Sequence, residues 1–149
     1  ALELNSTSAE FNTATYFNDT APTSTVFTVG NGGAVNSSGQ TFVAYLFATV
    51  AGVSKCGSFS HTNGSATDVD CGFSSGAKLV ICKRTNDTGS WYIFDTARGS
   101  IVAGNDPHQE LNSVGSETTG FDVIDPLSSG FTIASGFLSS GTYIFYAVA

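Results

Sequence analysis

Four carboxylates in the last third of the chain, Glu110, Glu117, Asp122 and Asp125, have the right chemistry for acid–base work. A pair of them flanking a glycosidic bond would be the machinery of polysaccharide cleavage. Two of the four, however, sit in a block that occurs twice. Glu110-Leu111-Asn112-Ser113 with Glu117 answers Glu3-Leu4-Asn5-Ser6 with Glu10. A residue present in both copies of a repeat is more simply a feature of its scaffold, so no catalytic residue is assigned and the chain is not expected to be an enzyme. A Ser/His/Asp arrangement built on His61 or His108 is set aside as well, for want of a Gly-x-Ser-x-Gly elbow and because free serines are everywhere in this composition.

Metal chemistry fares no better. Neither histidine has Cys or His partners at the spacings zinc requires, and Asp68, Asp70 and Asp87 fit no EF-hand loop. No metal and no cofactor is expected. The three cysteines, Cys56, Cys71 and Cys82, leave at least one thiol unpaired. A hairpin centred on Asn63-Gly64 would set Cys56 opposite Cys71, so a cross-strand disulfide is geometrically conceivable, and buried free thiols suit the apolar neighbours equally well. Trp91 and Tyr92 open an alternating stretch in which Trp91 is expected in the core and Tyr92 at the surface, where an aromatic ring beside Asn and Asp loops would make a sugar platform. Asp95 and Arg98 are spaced for a local ion pair, and Lys83-Arg84 is expected to mark where an apolar strand meets solvent. Five Asn-x-Ser/Thr sequons, at Asn5, Asn18, Asn36, Asn63 and Asn86, are what chance supplies in so Asn- and Ser-rich a chain.

The elements that would position these residues read as strands. Helical periodicity is scarce, while short apolar or alternating segments between Gly, Asn, Asp and Ser recur. Strands are expected near 23–29, 41–50, 53–61, 67–73, 78–83, 91–95, 121–125, 130–134 and 142–148, with a helical turn conceivable only at 96–104 and around Glu3 and Glu110. The links are too short for parallel crossovers, which gives an all-β, antiparallel sandwich of jelly-roll type. Gly30-Asn31-Gly32-Gly33 and Asn86-Asp87-Thr88-Gly89 read as turns, and Asp106-Pro107 and Asp125-Pro126 as the ends of extended segments.

Thr142 to Ala149 (TYIFYAVA) is apolar on both faces, so it must be covered twice. Thr41 to Ala48 (TFVAYLFA) matches it, with Thr41 on Thr142, Phe42 on Tyr143, Val43 on Ile144 and Tyr45 on Tyr146. Upstream, Phe27-Thr28-Val29 answers Phe131-Thr132-Ile133. Blocks in the same order at nearly the same spacing are an internal repeat. Residues 1–50 then form a back half and 51–149 a complete copy, expected as one unit in which Phe42, Tyr45, Phe47, Phe145 and Tyr146 meet a neighbour, either the other copy or another subunit.

Of 149 residues only 11% are charged, and the net charge of -7, with a pI near 4.3, argues against a phosphate-backbone partner, so no nucleic acid is expected. Twelve Phe and five Tyr supply the anchors a disordered chain lacks. No apolar run approaches the roughly 20 residues of a membrane helix and no basic, apolar leader opens the chain, so a soluble mature chain without membrane insertion is expected. Its start at Ala1, with no Met anywhere, fits either initiator removal or a longer product, and the half repeat favours the second.

The segments KRTNDTGSWYIFDTARG, ELNS, SGFTI and SGTYIFYAVA together resemble a family of repeat domains in tailed-phage structural proteins, found at the C-terminal ends of tail-fibre or virion proteins and often beside laminin-G-like modules. The resemblance covers 51–149 as a whole copy and 1–50 as a partial one, and departs from the family's pattern at Cys56 and Cys71. It carries over no catalytic residues. It implies a virion component that assembles with other virion subunits, as a homotrimer if it forms a fibre tip. Its leading reading is a tail-fibre or receptor-binding domain touching host surface polysaccharide through loops, with His61, Asn63, Asp87, Tyr92, Asp106 and His108 as the contacting residues. A capsid decoration or head-fibre protein is the alternative, and a depolymerase a distant third.

Overall fold

Eight strands form in the second two-thirds of the chain, and β3, β4, β7 and β8 are the ones in which β-branched or aromatic residues accumulate between turn formers. The computed structural model describes residues 1–149. The strands are β1 (Ser54–His61), β2 (Thr67–Asp70), β3 (Leu79–Arg84), β4 (Trp91–Asp95), β5 (Gln109–Glu110), β6 (Ile124–Leu127), β7 (Gly130–Ile133) and β8 (Gly141–Val148). They pair antiparallel throughout, in a five-stranded sheet of order β1-β8-β3-β4-β5 and a three-stranded sheet of order β2-β7-β6. The expected all-β sandwich is what forms.

The chain divides into two compact units, one made of Ala1 with Glu10–Leu46 and one of Leu2–Ala9 with Phe47–Ala149. The second unit holds every strand. At its centre lies β8, bonded on one edge to β1, with Gly57 opposite Phe145, and on the other to β3, with Cys82 opposite Phe145. Its alternation sends Tyr143, Phe145 and Ala147 into the core, where they meet Val80, Cys82 and Phe94 from the same sheet and Val69, Ile124, Phe131 and Ile133 from the other. Phe59 joins the sheets: its ring stacks on Tyr143 at 5.2 Å and meets Phe131 edge-on at 6.1 Å, while Phe131 meets Phe145 edge-on at 5.4 Å.

The other face of β8, carrying Ile144, Tyr146 and Val148, is covered only in part. Phe47 packs on Tyr146 with ring centroids 4.7 Å apart. Further along the same sheet face, Leu2–Ala9 runs as a strap: Gly89 N–H donates to the Thr7 carbonyl (2.9 Å), and Trp91 Nε1–H to the Glu3 carbonyl (2.9 Å). Lys83, fully enclosed here, donates to the carbonyls of Ser8 (2.9 Å), Thr7 (3.4 Å) and Arg84 (2.8 Å). The expectation that Lys83 marks the exit to solvent is therefore corrected: its ammonium is held under the strap, and burial, with the Arg84 charge second, lowers its pKa.

The first unit contains no strand. Its regular pieces are two helical turns, α1 (Ala14–Phe17), capped by the Thr13 hydroxyl accepting from Thr15 N–H, and α2 (Gly33–Asn36). Neither was among the expected turns. The expected strands 23–29 and 41–50 are also corrected: apart from one bridge between Val50 and Ser54 at the start of β1, these stretches pair with no strand, and Val43, Tyr45 and Leu46 stand 77%, 82% and 74% exposed. What separates the two is edge pairing: β8 is hydrogen-bonded to β1 and β3, whereas residues 41–46 have no strand on either edge.

Two local expectations change as well. Glycine at 30 and 32 is required by close approach rather than by a positive φ, since a Cβ on Gly30 would collide with the Thr15 carbonyl. Pro126 lies inside β6, tolerated because β6 is an edge strand with one free side.

Candidate functional site

Asp106 shows how the loops beyond the sheets are fixed. Its carboxylate, fully enclosed, accepts from Ile101 N–H through Oδ1 (2.8 Å) and from Val123 and Ile124 N–H through Oδ2 (2.8 Å each). Three main-chain donors, one from a loop and two from the entry to β6, are satisfied by one side chain, and Ile101 is held at φ 60. His108, 1% exposed, donates from Nδ1 to the Asp106 carbonyl (2.9 Å) and packs among the rings of Tyr92, Phe94 and Phe137 at 5.1 to 5.7 Å. Tyr92 thus faces the core and Trp91 the strap, the reverse of the expected arrangement, because β4 pairs Tyr92 with Cys82 and Trp91 with Lys83.

His61 ends β1 in the core, 3% exposed. Its Nδ1 shares a hydrogen bond with Thr67 Oγ1 (2.9 Å), and its Nε2 has no partner. Burial lowers its pKa, opposed by a smaller raising contribution from the Leu138 carbonyl. Asn63 is at the surface but works as a staple: its Nδ2 donates to the Leu138 carbonyl (3.0 Å) and its N–H to Ser140 Oγ (2.9 Å). Asp87 remains open to solvent at the tip of the β3–β4 hairpin, 3.5 Å from Arg84. Of the six residues expected to touch a ligand, then, His61, Asp106 and His108 are enclosed and Tyr92 is half-buried against them, which corrects their placement in exposed loops. Asn63 and Asp87 alone lie in surface loops.

The residues expected at an assembly face divide similarly. Phe145 belongs to the core, 6% exposed, rather than to an interface, while Phe42, Tyr45 and Phe47 are exposed and Tyr146 is half-buried beside Phe47. The three cysteines are free. Cys56 pairs opposite Tyr146 on the outer side of the five-stranded sheet, and Cys71 is buried where β2 ends in the other sheet, so the conceivable disulfide does not form. Asn63-Gly64 joins strands of different sheets and is not a hairpin. Burial raises the Cys56 pKa, takes Cys71 to about 11, with Asp70 adding to it, and takes Cys82 to about 12.

Of the four candidate carboxylates, Glu117 is held in an ion pair and Asp122 is exposed. Arg98 holds Asp95 (3.1 Å), as its spacing implied, and Glu117 (3.3 Å). Asp125 has its pKa raised, first by burial and then by Asp122 and Asp106. The Ser/His/Asp arrangement was set aside partly for want of a Gly-x-Ser-x-Gly elbow, and that is corrected: Gly72-Phe73-Ser74-Ser75-Gly76 is such a match. It lies between β2 and β3, with Phe73 buried, Ser74 exposed and no helix after it, so it lacks the strand-to-helix geometry of a nucleophile elbow. A shallow cleft of about 230 Å³ beside it is lined by Ser75, Lys78, Thr96, Ile101, Pro126 and Ser128, below the roughly 300 Å³ at which small-molecule sites begin.

A much larger groove, about 890 Å³, lies within the first unit, lined by Phe17, Phe27, Val29, Val35, Phe42 and Tyr45 among others. Its walls are mainly apolar and carry no acid, base or thiol. An arrangement of this kind suits apolar side chains.

The second unit is therefore an antiparallel two-sheet sandwich with His61, Lys83, Asp106 and His108 built into its framework, and the first is strandless and holds an apolar groove. The family model described as Domain of unknown function (DUF7483) matches residues 1–149, and the chain belongs to that family. No curated protein and no solved structure matches it.

Proposed function

We propose that the protein is a structural component of a tailed-phage virion, part of a tail-fibre or receptor-binding assembly that meets host surface polysaccharide through loops between strands. The observation that carries this reading is the exposed row Phe42, Val43, Tyr45 and Leu46, a set of large apolar side chains that suits burial in an assembly. Each such side chain contributes about 1.5–3 kcal/mol when fully covered. The resemblance of KRTNDTGSWYIFDTARG and SGTYIFYAVA to phage repeat domains supports the same reading. Other virion subunits, or copies of this chain in a homotrimer, are the partners it implies, and the virion is its location. The role is assembly and attachment rather than catalysis.

A second reading, a capsid decoration or head-fibre protein, is favoured by one observation: three of the six residues expected to contact polysaccharide are enclosed, which shifts weight from recognition to assembly. Imaging intact particles with this chain labelled separates the two. Label on the tail together with binding of the purified oligomer to host lipopolysaccharide supports the first; label on the shell supports the second. Label on neither part of the particle contradicts both.

A further inference from the structure

The first unit repeats the back half of the second in sequence and shares one of its turns. Ala21-Pro22-Thr23-Ser24-Thr25-Val26-Phe27-Thr28-Val29 lines up with Asp125-Pro126-Leu127-Ser128-Ser129-Gly130-Phe131-Thr132-Ile133, proline on proline and phenylalanine on phenylalanine. Thr23 and Val26 close the first turn (2.8 Å), as the paired Leu127 and Gly130 close the β6–β7 hairpin. The two ELNS blocks, both in the second unit, also make the same turn, Ser6 N–H to the Glu3 carbonyl (3.3 Å) and Ser113 N–H to the Glu110 carbonyl (3.1 Å).

What differs is what fills the space between the β7-like and β8-like segments. In the second unit Phe59, Val69, Val80, Cys82 and Phe94, all from β1–β4, pack there, and Phe131 and Ile133 have no exposed surface. In the first unit the groove of about 890 Å³ has the two matching segments on its walls, and Phe27 and Val29 stand 40% and 41% exposed. Large and small side chains trade places across the match: Phe145 corresponds to Ala44, and Ala147 to Leu46. The segment 41–46 also has both backbone edges free of strand partners, where β8 has none free.

We propose that this groove is the slot for a front half of the same repeat: a strand meander with the pattern of β1 to β5, on a polypeptide whose own slot is empty. Its β1-like and β3-like strands flank residues 41–46, and its apolar side chains fill the groove. A second folded copy of this chain does not serve, because β8 already lies between its β1 and β3.

The test appends a second copy of residues 51–110 through a flexible linker ahead of Ala1 of the full chain and follows amide hydrogen exchange. The expected result is that Phe42 to Leu46 slow by about a hundred-fold or more, the range that separates an open segment from a cooperative strand, while hydrophobic dye binding falls. Carrying Val80→Asp and Phe94→Asp in the appended copy should abolish both changes. Unchanged exchange at Phe42–Leu46 in the fusion, or an appended copy that stays unstructured, overturns the proposal. So does protection that appears in the unfused chain as its concentration and mass rise, which would make a second copy the occupant.

Discussion

Asp106 is the residue on which most local order depends. Each of its three bonds ties a main-chain N–H to a charge in a place without solvent, and such bonds contribute about 1.5–3 kcal/mol apiece. Asp106→Asn keeps one acceptor and turns an amide N–H₂ towards donors, so it should lower unfolding stability in urea by about 2–4 kcal/mol. A loss under about 0.5 kcal/mol would mean that the loops hold themselves. His61 gives a pH signature. Its folded pKa is depressed, so the neutral form is the one the fold accepts; its contribution is present above the unfolded value of about 6.5 and is lost as pH falls through the folded pKa. Melting temperature should therefore fall between pH 7.5 and 5.5 by a step that His61→Gln removes. Identical pH profiles for the two proteins would contradict this.

Among the elements, the contrast between matched segments is the informative one. Phe131 and Phe27 occupy the same place in the repeat, one with no exposed surface and one 40% exposed. Phe131→Ala should cost about 3–5 kcal/mol, as deletion of a buried aromatic does, and Phe27→Ala less than about 0.5 kcal/mol. Equal costs would show that the first unit packs as the second does. The strap is tested at Lys83: replacing it with Met removes three donors from the carbonyls of Thr7, Ser8 and Arg84, and exchange of the Gly89 amide, bonded to Thr7, should quicken by about tenfold or more. Period and turn chemistry made β1, β3, β4, β7 and β8 legible from sequence, because local alternation and flanking Gly, Asn and Ser coincide with tertiary pairing there. Alternation cannot tell which side of a strand meets the core, so Tyr92 and Trp91 were inverted. Nor does a doubly apolar run carry its partners with it, so residues 41–46 read as an interior strand.

At the scale of the whole molecule, two copies of one back half meet two fates, decided by whether β1 to β4 are there to complete them. The site expected from sequence dissolved for a related reason. Polar residues near loops look alike whether they face water or bond to main chain, and only the fold reveals that Asp106 and His108 turn inward. The central claim is that β8 is the enclosed centre of the complete copy while its match lies open. Residue-resolved amide exchange on the dilute, unmodified chain tests it most directly. Tyr143 to Val148 should exchange only through global unfolding, and Phe42 to Leu46 at close to the rate of an unstructured peptide. Comparable protection of the two segments would contradict the account.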